Sequence, residues 1–189
     1  MGDQSTSKSD RWEAATFGLG CFWCAEAIFQ RVRGVCTAAA GYMGGTLGSP
    51  TGDQLSAGVS GFAEVVQVTF DRQIVSYPEL LEVFWRTHDP TTPNRQGADV
   101  GPKYRSVLFY HTSEQKELAE AYKKELDAAG AFNEPIVTEI APAQHFYPAG
   151  EEDQNFYNLN PEQPYCQRVI TPKLLKLKRV FREKFKAVA

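Results

Sequence analysis

The chain has 189 residues, 42% hydrophobic and 23% charged, which excludes a disordered or low-complexity protein and suits one folded domain. Its net charge of −3 argues against a protein that binds nucleic acid. No apolar run approaches the roughly 18 residues needed to cross a bilayer, so no membrane role is expected. Met1 to Ser9 lack the apolar core of a secretory signal, and four cysteines are too few for a disulfide framework, so a reducing, cytoplasmic address is expected.

Residues 1–12 read as a disordered leader, and residues 13–189 as a single domain. Ala14 to Leu19 is a short apolar strand bounded by glycine. Phe22, Ala25, Ile28, Phe29 and Val32 follow at helical spacing, and Gly34 ends that helix. Val35 to Tyr42 returns as a strand and runs into a glycine-rich loop, Gly41 to Gly61. Glu64 to Asp71 is β-branched and strand-like, and Tyr77 to His88 carries an apolar helical face. A second loop, Asp89 to Lys103, is rich in proline and glycine. Arg105 to His111 is a strand, Ser113 opens a helix to Ala129, and Pro135 to Ile140 is a further strand. Residues 141–170 are irregular and carry Cys166. Residues 171–187 form a C-terminal helix, and from Arg168 onward eight basic residues face one acidic one. Strands interleaved with helices predict an α+β fold, a two-layer α/β sandwich of the ferredoxin-like plait type.

Cys21 falls at a strand-to-helix junction, where unpaired N–H groups and the helix dipole favour a thiolate, so its pKa is expected to be lowered. Cys24 stands one turn on, making Cys-Phe-Trp-Cys a C-x-x-C motif that fits a redox pair, half a zinc site or coincidence. With three histidines and no second C-x-x-C, no metal is expected. Phe22 and Trp23 flank the thiol and suit a pocket for a soft, polarisable group. Glu64 opens a strand after a glycine turn, where partial desolvation would raise its pKa and suit it to a general acid. Cys36, in strand-like sequence, is expected to be a buried, inert thiol. His88, His111 and His145 form no triad with a cysteine.

The string Gly20-Cys21-Phe22-Trp23-Cys24-Ala25-Glu26 resembles the active-site motif of A-type peptide methionine sulfoxide reductases. The likeness continues through Ala40 to Gly45, Gly61 to Glu64, His88-Asp89-Pro90 and Arg95 to Asp99. Gly101, Tyr104-Arg105-Ser106, Phe146 to Ala149, Gln154, Asn160-Pro161 and Tyr165-Cys166 complete it, in the family's order. The resemblance implies reduction of the S epimer of methionine sulfoxide, free or in proteins. By it Cys21 is the nucleophile, Glu64 the proton donor and Tyr104 a hydrogen-bond donor to the sulfoxide oxygen. Phe22, Trp23 and Asp99 hold the substrate. Cys166 matches the recycling position and, in a segment able to swing, is expected to resolve the sulfenic acid, with Cys24 as alternative or relay. The resemblance implies no metal or organic cofactor and thioredoxin as the external reductant; a monomer is expected. The competing reading is a thiol–disulfide oxidoreductase using Cys21 and Cys24.

Three positions depart from the family pattern. Phe62 replaces the usual histidine, Gly52 stands where an oxygen-binding tyrosine is expected, and Cys24 stands where many members have glycine. With that tyrosine missing, Tyr104 is expected to carry more of the work at the sulfoxide oxygen.

Overall fold

The computed structural model describes residues 11–58 and 61–186. β-Branched and aromatic residues put down β1 (Trp12–Leu19), β2 (Val35–Met43) and β3 (Ala63–Asp71). A short hairpin, β4 (Arg95–Gln96) and β5 (Asp99–Val100), precedes β6 (Ser106–Tyr110), β7 (Glu139–Pro142) and β8 (Tyr147–Pro148). The main sheet runs β7-β6-β1-β3-β2-β8. All its described pairings are antiparallel except β6 with β7, which are joined across the sheet edge by a helical crossover.

The helices are α1 (Phe22–Gln30), α2 (Gly52–Ser56), α3 (Tyr77–Thr87), α4 (Ser113–Ala128), α5 (Phe156–Leu159) and α6 (Thr171–Val180). Ser76 opens α3 with a capping box: its hydroxyl accepts from the Glu79 N–H, and the Glu79 carboxylate accepts from the Ser76 N–H. The alternation of β3 sends Val66, Val68 and Phe70 into a core shared with Phe17, Ile28, Phe29, Leu80, Leu81 and Phe84. Its opposite face contributes Ala63 and Val65 to a smaller cluster with Met43, Val107 and Phe109. The result is a mixed α/β fold around a mostly antiparallel sheet.

Several expectations shift. Residues 1–10 of the expected leader lie outside the described residues, and Trp12 already belongs to β1, opposite Asp71. The strand expected at Pro135 to Ile140 occupies Glu139–Pro142, because its parallel register with β6 begins at Val107 opposite Glu139. Upstream, Ile136 is buried without pairing to β6, and the Val137 N–H donates to the Pro90 carbonyl. The irregular stretch 141–170 holds β8, α5 and a π-helical turn, Cys166–Ile170, that runs directly into α6. The last helix stops at Val180 although Phe181 and Phe185 keep its spacing. There the chain turns back so that the Arg33 N–H donates to the Lys184 carbonyl and the Lys186 N–H to the Arg31 carbonyl. Cys36 is exposed, not buried, since the β2–β3 register is interrupted between Val35 and Thr37. No helix among the described residues is long and apolar enough to cross a membrane.

Candidate active site

Cys21 is the N-cap of α1, reached from β1 through Gly20, whose φ of +101° requires glycine. Its carbonyl accepts from the Cys24 and Ala25 N–H groups and so closes the first turn. The Phe22 N–H, one of the orphan donors of that turn, instead reaches sideways to Glu64 Oε2 at 3.1 Å. One backbone group thus ties the residue after the nucleophile to the carboxylate on β3.

Glu64 is 4% exposed. Burial pushes its carboxyl above the ordinary range, against the pull of Lys103 and the Phe22 N–H. That bears out the desolvation expected from its place in the sequence. The expected lowering of the Cys21 thiol does not hold in the substrate-free site. Burial and the neighbouring Glu64 charge push it up, and the Trp23 N–H and the Tyr165 hydroxyl do not compensate. Cys21 therefore rests as a thiol.

The flanking aromatics divide their work. Phe22 is buried edge-on to Tyr42, with ring centroids 5.3 Å apart. Trp23 stacks on Phe156 at 3.7 Å, and its Nε1–H donates to Asp153 Oδ1 at 2.9 Å. Tyr165 stands edge-on to Trp23, and its hydroxyl donates to Asp99 Oδ2 at 2.7 Å. That contact carries Asp99, on β5, to the rim of the Cys21 thiol. Tyr104 closes a 3-10 turn, Pro102–Tyr104, and interacts electrostatically with both Glu64 and Cys21.

A cleft of about 290 Å³ opens beside the nucleophile, lined in part by Cys21, Cys24, Gln96, Asp99, Tyr165 and Lys173. Cys24 is buried, and burial pushes its thiol up while the nearby Lys173 ammonium draws it down. The structure does not bring Cys166 to this cleft. It is fully buried within the π-helical turn and packed in the main core, so the swinging segment expected around it is instead continuous with α6.

The sequence reading gave no role to Lys103, Asp153, Phe156 or Tyr165. Lys103 Nζ lies 3.0 Å from Glu64 Oε1 and donates to the Ser56 carbonyl at 2.9 Å. Burial weakens its charge, but the pull of Glu64 prevails and holds its pKa up at about 12. The signal available was its place immediately before Tyr104, and for Tyr165 its place in the Tyr165-Cys166 block; those of Asp153 and Phe156 were lost in an aromatic stretch without periodicity. Among the described residues no cluster of three His, Cys, Asp or Glu could hold a metal ion.

The sequence profile of the family described as peptide methionine sulfoxide reductase matches residues 13–185. A Sulfolobus acidocaldarius protein named peptide methionine sulfoxide reductase MsrA is 46% identical over 172 residues, 91% of this chain and 97% of that one. Its namesake from Methanothermobacter thermautotrophicus is 49% identical over 162 residues, 85% and 96% of the two chains. Saccharomyces cerevisiae Mxr1 in reduced form superposes with a TM-score of 0.75 at 30% identity, over 88% of this chain and 95% of that one. Mxr1 in complex with Trx2 matches at 0.54 and 25%, over 82% and 92%. In sequence along nearly its whole length, and in fold, the chain belongs to the peptide methionine sulfoxide reductase family.

Proposed function

We propose that Cys21, Glu64 and Cys24, in that order, carry the reaction of a chain that reduces the S epimer of methionine sulfoxide, free or in proteins, and is recycled by thioredoxin. The observation that carries this reading is the Phe22 N–H to Glu64 bond, which holds a buried carboxylate beside the nucleophile. Cys21 attacks the sulfoxide sulfur while Glu64 delivers a proton to the oxygen. Methionine leaves and Cys21 becomes a sulfenic acid. Phe22 and Trp23 enclose the S-methyl group, Tyr104 donates to the sulfoxide oxygen, and Asp99, tied to Tyr165, holds the substrate backbone.

For resolution, the shared cleft favours Cys24 over Cys166 as the first thiol. Cys24 condenses with the sulfenic acid, releasing water and forming Cys21–Cys24. Cys166 lies behind Cys24, close enough to act on its charge; its thiol attacks Cys24, frees the Cys21 thiol and leaves Cys24–Cys166 as the bond that thioredoxin reduces. The dithiol of the competing oxidoreductase reading is thereby absorbed as the second half of one cycle. Thioredoxin as reductant is supported by the Mxr1 complex with Trx2.

The architecture supports a ferredoxin-like plait at the centre: β6, β1, β3 and β2 stand in the order fourth, first, third, second, with α1 and α3 in the crossovers. A cytoplasmic monomer working without metal or organic cofactor completes the reading. One equivalent of methionine sulfoxide should give Cys21–Cys24 as the first disulfide in peptide mass spectrometry, and Cys21→Ser should give no methionine. Turnover by Cys21→Ser would sink the nucleophile; Cys21–Cys166 as the first species would reverse the order of the thiols.

A further inference from the structure

Lys103 is a charged group at the site that the family resemblance leaves without a role, and among the described residues it alone pairs with Glu64. Gly52, where an oxygen-binding tyrosine is expected, opens α2 and is exposed, and a Cβ there would meet nothing within 4 Å. From the other end of α2 a cation reaches in. Lys103 Nζ is held between the Ser56 carbonyl at 2.9 Å and Glu64 Oε1 at 3.0 Å, and stands 4.9 Å from the centre of the Tyr104 ring. Its stem lies against Gly58, whose φ is +68° and whose absent Cβ would come within 3.2 Å of it. The lysine side chain is 23% exposed and the glutamate side chain 5%, so the pair is largely withdrawn from water.

We propose that the Lys103 ammonium is the third donor to the sulfoxide oxygen, in place of the tyrosine missing at Gly52, and that it holds Glu64 as a resting carboxylate that relays the Cys21 proton to that oxygen. The inference rests on the reaction proposed at Cys21. A buried carboxylate needs a partner, and Lys103 supplies one whose remaining N–H, beyond those on Glu64 and Ser56, faces the Tyr104 hydroxyl, the other donor expected at that oxygen. An ammonium beside the site stabilises charge that grows on the oxygen during attack, when it counts most toward the barrier.

The protons and electrons balance without an outside acid. The Cys21 S–H proton passes to Glu64 as sulfur bonds to sulfur, and Glu64 then hands it to the oxygen. The methionine S–O bond and the transient Cys21–methionine S–S bond then break as the Cys21 S–O bond forms, so methionine leaves and Cys21 carries the oxygen and the proton as a sulfenic acid. Cys21 sulfur is oxidised by two electrons, methionine sulfur is reduced by two, and Lys103 keeps its charge throughout.

The groups facing this pair are Cys21, Tyr42, Asp99 and Tyr104, so a pH profile read on the first step reports on all of them together. The test is the single-turnover rate of methionine release, from pH 5.5 to 9 and over a range of methionine sulfoxide concentrations, with the rate of the following thiol loss read alongside, for Lys103→Met and Lys103→Arg. Each is made in the full chain and again with Glu64→Gln. Lys103→Met should slow the first step by about 10²-fold with half-saturation little changed. Its acid limb should move to higher pH, since Glu64 without its cation protonates sooner. Lys103→Arg should keep most of the rate. In the Glu64→Gln background Lys103→Met should still cost more than about fivefold, because the ammonium also touches the oxygen.

No further loss in that background would overturn the proposal, leaving Lys103 as a counter-ion alone. So would an unchanged rate in Lys103→Met, or an equal slowing of the later sulfenic acid to disulfide step, which would mark a structural role. Loss of turnover in Cys21→Ser tests the underlying reaction separately, so failure of one is distinguishable from failure of the other.

Discussion

Cys21 combines two properties that a sequence reader would place apart: the position of an activated thiol and the protonation of an inert one. The helix start offers N–H groups to the sulfur, but burial and the Glu64 charge outweigh them. A thiol kept protonated until substrate arrives is a poor target for adventitious electrophiles. Iodoacetamide should therefore label Cys21 with an alkaline midpoint above that of an ordinary cysteine. Glu64→Gln should move the midpoint down, because it deletes a nearby negative charge; an upward move would show that Glu64 does not act on the thiol. Cys21, Glu64, Asp99 and Tyr104 were legible in the string, because each stands in a short block of the family pattern. Lys103 was not, since a lysine in a Gly/Pro loop reads as a solvated surface charge. Its presence also shares out the burden that the sequence alone assigns to Tyr104.

β2 carries the short edge strand β8 of the main sheet. Gly41 lies where β8 crosses, and a Cβ there would come within 2.5 Å of the Tyr147 carbonyl oxygen and run into the Phe146 ring. The clash involves backbone, so it cannot be relieved by a rotamer change. Gly41→Ala should displace β8 and the loop leading to Asp153, lowering stability by about 1–3 kcal/mol and weakening the hold on Trp23. Urea denaturation and Trp23 fluorescence would read the two effects, and a wild-type midpoint would refute the close approach. Elements with a strong period, β3, α3 and α4, sit within a residue or two of where sequence puts them. The misplacements arise where tertiary contacts decide. Phe181 and Phe185 keep a helical spacing, yet the chain bends to bridge Val32 with Phe185. Cys36 is turned outward by an irregularity in β-pairing that no local pattern announces.

Across the whole molecule, one buried polar chain links elements far apart in sequence. His88 caps the end of α3; its Nδ1–H donates to the Phe84 carbonyl at 2.8 Å, and its Nε2 accepts from Ser106 Oγ at 2.7 Å, which in turn meets Thr138 Oγ1 at 2.7 Å. Both ring nitrogens are engaged by the neutral form, and burial lowers the pKa to about 4. The unfolded chain takes up this proton near pH 6.5 and the folded one does not, so stability falls as pH drops from 6.5 toward 4 and the penalty is then constant. About 2 kcal/mol should be lost between pH 8 and pH 5 through this group. His88→Gln should flatten that part of a denaturation-versus-pH curve, and an unaltered slope would assign it to other groups. The stacking of Trp23 on Phe156, with its bond to Asp153, has a temporal consequence as well. The nucleophile is made early, and its enclosure comes from a stretch well over a hundred residues later. During synthesis from the N-terminus, a nascent chain that has emerged only as far as β6 therefore displays Cys21 without Asp153, Phe156 or Tyr165 around it. Its sulfur comes under the control of the finished site only when Asp153, Phe156 and Tyr165 have left the ribosome.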